Sequence, residues 1–239
     1  GADLSNSNLT GADLSGKDLT EIILKGADLT YVNITGAIVR GADLSKSKLS
    51  GVDLSGMDLT GTIVRGADLS DTNLTGVDLS GMDLTATDLS GQDLSSKDLT
   101  ETILTGANLS DTILPVIMMP VEKYGGVEMI VDSILSDKNF ADTKFNGVDL
   151  SGKYLMFSDF TRASFKNANM KNVSVSGSQF IQVDLTNIKN KSLSGITAIY
   201  TSFAYSNLSG VNLDGTTLHA VNFYNADLSG QDFTVTDSI

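Results

Sequence analysis

At 239 residues the chain has room for one large domain or two modest ones. It contains no cysteine and one histidine, His219, which excludes disulfides, thiolate metal sites, thiol nucleophiles and multi-histidine metal centres. The formal charge of −13 describes an acidic surface that repels nucleic acid and anionic membranes, so direct binding to either is not expected.

The charge is uneven. Residues 1–114 hold 17 acidic and 7 basic side chains, so most of the excess lies in the first half. No apolar run reaches the roughly 20 residues of a membrane helix, and membrane insertion is not expected. The sequence shows no leader that would assign a compartment, and its opening "GADLS" is already repetitive, which reads as a processed protein or an excised fragment.

From Leu4 to Leu114 an apolar branched residue stands on every fifth position, as in Leu44, Leu49, Leu54, Leu59 and Val64. Five residues of α-helix turn through about 500°, so these side chains would line no face of a helix. In a flat strand a spacing of five sends successive residues to opposite sides. A chain that bends once per pentad can aim each of them at one central axis, which makes a solenoid of short extended segments. Ala2, Ala12, Ala27, Val52 and Ala67, two residues before a centre, are small enough to share that interior. Asp or Asn just before the centre can accept local N–H groups at the bend, and Gly two residues after it relaxes the backbone. Lys17, Gln92 and Lys97 depart from the pattern, standing where a small inward residue is usual.

The units "GADLS", "GANLS" and "NADLS" resemble the A(D/N)LXX pattern of the pentapeptide-repeat family, over 1–114 without a break and most of 140–233. The resemblance implies an all-β fold, a right-handed quadrilateral β-helix with four pentads per coil. Residues 1–114 are then expected to form a Leu-centred N-terminal arm, 115–139 an insert, and 140–239 a C-terminal arm centred on Leu and Phe. All nine phenylalanines lie after Asn139, so the two arms have differently filled cores. The segments 41–60 and 66–85 are near-duplicates offset by 25 residues, a multiple of the pentad but not of a four-pentad coil.

Both prolines fall in the insert. There Val127, Ile130, Val131 and Ile134 follow the i, i+3, i+4, i+7 spacing of a short amphipathic helix, expected to pack on the solenoid. In the second arm the step from Leu185 to Leu193 is eight residues, one pentad plus three, so a loop is expected over 186–192.

No catalytic constellation is apparent, and no metal, cofactor or enzymatic activity is expected. With four pentads per coil, residues 20 apart stack, and one exterior column reads Asp3, Ile23, Asp43, Ile63, Asp83, Ile103. Exposed Ile at alternate levels makes Ile23, Ile63 and Ile103 a candidate contact surface. A second column, Asp18, Ile38, Asp58, Asp78, Asp98, is the densest acidic strip. The expected function is therefore that of a non-enzymatic scaffold for protein contact or self-assembly, with homo-oligomers forming through terminal coils. The alternative, implied by the resemblance, is a DNA mimic that binds DNA gyrase or topoisomerase. Its charge is dilute for that role, about one per 4 Å of axis against one per about 1.7 Å in duplex DNA. In that reading Lys189 and Lys191, in the expected loop, join the candidate contacts.

Overall fold

The computed structural model describes residues 1–115, 121–124, 127–130 and 135–231. Its unit is a bend closed by one hydrogen bond. The Ala12 N–H donates to the Leu9 carbonyl at 2.9 Å, and between them Gly11 has φ of 65°. A turn whose third residue needs positive φ explains the recurring glycine two places after each centre. Between bends, each short segment bonds to the one 20 residues on. Leu9 N–H reaches the Asp28 carbonyl at 2.8 Å, Asp28 N–H reaches the Ser7 carbonyl at 2.9 Å, and Gly11 N–H reaches the Thr30 carbonyl at 2.9 Å. Parallel bridges repeat this step, from Asp3 to Ile23 and from Ile23 to Asp43. Four pentads therefore make one coil.

Centre residues from Leu19 onward are buried, and so are the inward residues two places earlier, such as Ala27, Ala42 and Val52. Polar side chains also occupy this inner share, and a single rule accommodates them. The Thr62, Thr87 and Thr102 hydroxyls each donate to the centre carbonyl 23 residues before, on Val39, Val64 and Leu79, at 3.0 to 3.1 Å. Gln92 Nε2 and Lys97 Nζ use the same acceptors, on Leu69 and Leu74, and add others nearby. The two long side chains are held by backbone carbonyls that face the interior, which satisfies their donors where solvent cannot. Lys17 lies in the first coil and is exposed.

The chain divides into two compact units, Gly1–Gln92 with Lys97–Leu109, and Asp93–Ser96 with Ser110–Ile239. The second contains the insert. Val121–Tyr124 (β1) pairs antiparallel with Val127–Ile130 (β2), Val121 opposite Ile130 and Tyr124 opposite Val127. This corrects the amphipathic helix expected to begin at Val127. A short apolar run fits either period, and here the β-branched residues and the intervening Gly125–Gly126 pair favour a hairpin. Positions 131–134 of the expected helix lie outside the described residues. Around the insert the ladder resumes. Asp111 N–H donates to the Asn146 carbonyl at 2.7 Å, 35 residues on, where the Ala86 to Thr105 bond spans 19.

The second unit has an aromatic core. Phe140, Phe160, Phe180, Phe203 and Phe223 stack in one column at centroid separations of 5.2, 4.7, 5.2 and 5.7 Å. Those separations are close to the roughly 4.8 Å between paired strands, so the ring stack and the backbone ladder share one repeat. After Asp184 the coil lengthens: bridges run from Asp159 to Gln179, 20 apart, then from Gln179 to Ser202, 23 apart. The three added residues form a 3-10 turn, Lys189–Lys191, anchored by buried Ile188 and by Lys189 N–H on the Ala168 carbonyl at 2.9 Å. Short strands Thr197–Ile199 (β3) and Thr217–His219 (β4) pair in parallel beyond it.

Candidate functional site

Outer columns follow from the residue that precedes each centre. Its carboxylate or amide oxygen caps the next bend, as when Asp3 Oδ1 accepts the Ser5 N–H at 2.9 Å and the Ser5 hydroxyl at 2.6 Å. Such charge-assisted bonds favour the ionised form. The Ser5 contacts hold Asp3 below the usual carboxylate range, and the Thr30 hydroxyl and N–H, with Lys48 beyond, lower Asp28 to about 2. Asp78 is also held low, by the Ser80 N–H and hydroxyl, although the neighbouring Asp98 charge pushes the other way. The acidic columns are thus fixed in place and ionised well below neutral pH.

Ile23, Ile63 and Ile103 stand in one column of the first unit, with Asp3 bridged to Ile23, Ile23 to Asp43, Asp43 to Ile63, and Asp83 to Ile103. They are 37, 45 and 47% exposed, which leaves three branched side chains on a surface otherwise capped by polar groups. Ile38, in the adjacent acidic strip, is 49% exposed. Arg40 and Arg65 lie beside this region, 3.3 Å from Asp58 and 3.4 Å from Asp83. Lys189 and Lys191 belong to the second unit, where both are exposed on the 3-10 turn.

A group of surface aromatics was not singled out by sequence. Tyr31, Phe157, Tyr200 and Tyr205 occupy the positive-φ corner that glycine usually fills, at φ of 55, 56, 53 and 58°, and all four are exposed. In the second unit Tyr205 meets Tyr224 edge-on at 5.5 Å, and Tyr200 meets His219 at 5.9 Å. The usable signal was an aromatic two places after a centre, since a corner side chain points away from the core. Among the described residues no group of three or more His, Cys, Asp or Glu could hold a metal ion. No described helix is long and apolar enough to cross a membrane.

The sequence matches the family described as Pentapeptide repeats, in eight copies, over residues 2–41, 27–66, 40–81, 54–91, 83–114, 154–187 and 192–234. No curated protein matches the chain. Among solved structures it is similar to HetL, a pentapeptide repeat protein involved in heterocyst differentiation regulation from the cyanobacterium Nostoc sp. strain PCC 7120, at 24% identity and TM-score 0.34, covering 95% of this chain and 87% of HetL. A trypsin-treated form of QnrB1, a plasmid-mediated fluoroquinolone resistance protein, matches at 14% identity and TM-score 0.38, covering 91% of this chain and 92% of that one. A thylakoid-lumen pentapeptide repeat protein of Arabidopsis thaliana matches at 29% identity and TM-score 0.14, over 49% of this chain and 70% of its own. With its family's repeat matched over most of its length, the chain belongs to the pentapeptide-repeat proteins and has their right-handed quadrilateral β-helix.

Proposed function

We propose that the chain is a non-enzymatic scaffold whose outer columns bind other proteins or further copies of itself. The observation that carries this reading is the Ile23–Ile63–Ile103 column, a regular apolar series exposed on an acidic, hydrogen-bonded surface. Apolar side chains in ordered register are suited to a contact that excludes water, and the flanking aspartates favour partners of opposite charge. Light scattering over a range of protein concentration tests the homotypic form. The wild type is expected to exceed monomer mass, and an I23K/I63K/I103K variant is expected to return to it. Monomer mass for the wild type at every concentration would remove self-assembly from the reading.

The ionised Asp58–Asp78 strip favours a second reading, a DNA-like acidic rod directed at DNA gyrase or topoisomerase. A supercoiling assay separates the two. Inhibition that weakens on replacing Lys189 and Lys191 by alanine supports the mimic, and unaltered supercoiling disposes of it.

A further inference from the structure

Between the coils that carry Asp58 and Asp78 the ladder opens. Gly56 N–H still donates to the Thr75 carbonyl at 2.8 Å, and Gly66 N–H to the Thr85 carbonyl at 2.9 Å. In the stretch between them none of the five expected coil-to-coil bonds forms, so the N–H groups of Leu59, Gly61, Val64, Asp78 and Asp83 have no backbone partner. Neither Asp58 to Asp78 nor Ile63 to Asp83 is bridged, although both columns are bridged elsewhere, as between Asp18 and Ile38 and between Asp43 and Ile63. The bends on either side are intact, since Thr62 N–H reaches the Leu59 carbonyl at 2.9 Å.

Two sequence features account for the opening. Met57 and Met82 occupy inward positions where Ala42, Ala67 and Val77 are fully buried, and both methionines are only half-buried. A longer side chain overfills that narrow interior share, and overpacking is relieved by backbone movement. Asp58 and Asp78 also face one another across the opening, and like charges on adjacent strands repel. The result is a cleft of about 500 Å³ lined by residues of 56–62 and 76–83. That volume lies within the range of about 300–1,000 Å³ typical of ligand pockets.

We infer that this cleft is a docking site for an extended peptide segment of a partner protein that carries a basic side chain. The inference deepens the scaffold reading and rests on it. Unpaired N–H and carbonyl groups along both lips supply the main-chain bonds by which a peptide adds a strand to a sheet edge. Alternate side chains of an extended segment point to opposite sides, so one set meets the thioethers of Met57 and Met82 and the other meets the outer aspartates. Asp58 and Asp83 already face Arg40 and Arg65. Asp78 has no ion pair and stays ionised, so it is the carboxylate left for an incoming ammonium or guanidinium group.

The test is amide hydrogen exchange on the full chain, read by NMR, with the capped peptide acetyl-Thr-Val-Lys-Val-Thr-amide as probe. Without peptide, the five amides are expected to exchange at least tenfold faster than the paired amides of Leu44, Leu49 and Leu84. Peptide is expected to slow them severalfold, with a weaker effect on D78N. A peptide with Glu in place of Lys, or with N-methylated backbone, is expected to leave them unchanged. The inference is overturned if the five amides are already protected, if the probe leaves them unchanged, or if the control peptides protect them equally. Failure here while the Ile-column substitutions still change the solution mass would sink the cleft alone and leave the scaffold reading standing.

Discussion

The ring of Tyr31 lies against Gly51, one coil on, so closely that a β-carbon at residue 51 would fall 2.2 Å from Tyr31 Cδ1. Both residues have positive φ, and only glycine takes that conformation without steric cost. Gly36 has the same backbone shape, with nothing within 4 Å of its added β-carbon. Gly36→Ala should therefore cost about 1 kcal/mol, the backbone penalty alone. Gly51→Ala should cost more, and Y31A/G51A should return most of the difference. Denaturant unfolding of the three variants checks this, and equal costs at 36 and 51 would refute it.

The capped aspartates make stability acid-sensitive. Hydrogen bonds hold Asp3, Asp28 and Asp78 below their unfolded values, so the folded chain binds fewer protons than the unfolded chain as pH falls. Their contribution is complete above the unfolded carboxylate pKa of about 3.9 and is lost as pH drops through the folded values, toward about 2 for Asp28. Thermal melting should be flat from pH 7 to about 5 and fall steeply below about 4. Asp28→Asn, which keeps an acceptor oxygen but not the charge, should lessen the slope.

Lys97 titrates in the opposite region. Burial among carbonyls lowers its pKa, so the folded chain sheds the proton first and stability rises with pH up to the unfolded value of about 10.4. Gln92 and Gln231 make the equivalent contacts with a neutral amide, Gln231 Nε2 reaching the Leu208 and Val211 carbonyls at 2.8 and 2.7 Å. Lys97→Gln should melt no lower than wild type at pH 7 and remove that alkaline rise. A Tm well below wild type at pH 7 would show that the ammonium charge itself is needed.

Phe160 touches four other rings, those of Phe140, Phe145, Phe165 and Phe180. Phe160→Ala should cost about 3–5 kcal/mol, because the stacked backbone cannot collapse into the space left. Phe157→Ala, on an exposed corner ring, should cost far less. Urea unfolding of both variants compares them, and similar losses would mean that the ring column is not the main packing unit.

Much of the architecture was legible because every pentad repeats one physical problem. Leu44 and Leu49 lie five apart, and only a chain that bends between them buries both. The Asp before each centre and the Gly after it signalled the bend chemistry that the structure displays. The insert was harder to read, because Val127 and Ile130 suit a helix or a strand and four residues carry too little period to choose. The exposed Ile column could be listed once the coil length was known. The cleft could not, since it depends on which inward position is overfilled, and that is a property of packing between Met57, Met82 and their neighbours rather than of the repeat.

The duplication offset of 25 residues has a consequence for the surface. Arg40–Asp58 and Arg65–Asp83 are the same ion pair displaced by five pentads, at 3.3 and 3.4 Å, and Ile38 and Ile63 are likewise counterparts. Five pentads are one coil and a quarter, so the copy lands on the adjoining face. Each added pentad thus advances everything downstream by a quarter turn while every buried residue stays buried. The lineage could re-deal its four exterior faces by small insertions, assembling new surface combinations without re-solving the interior.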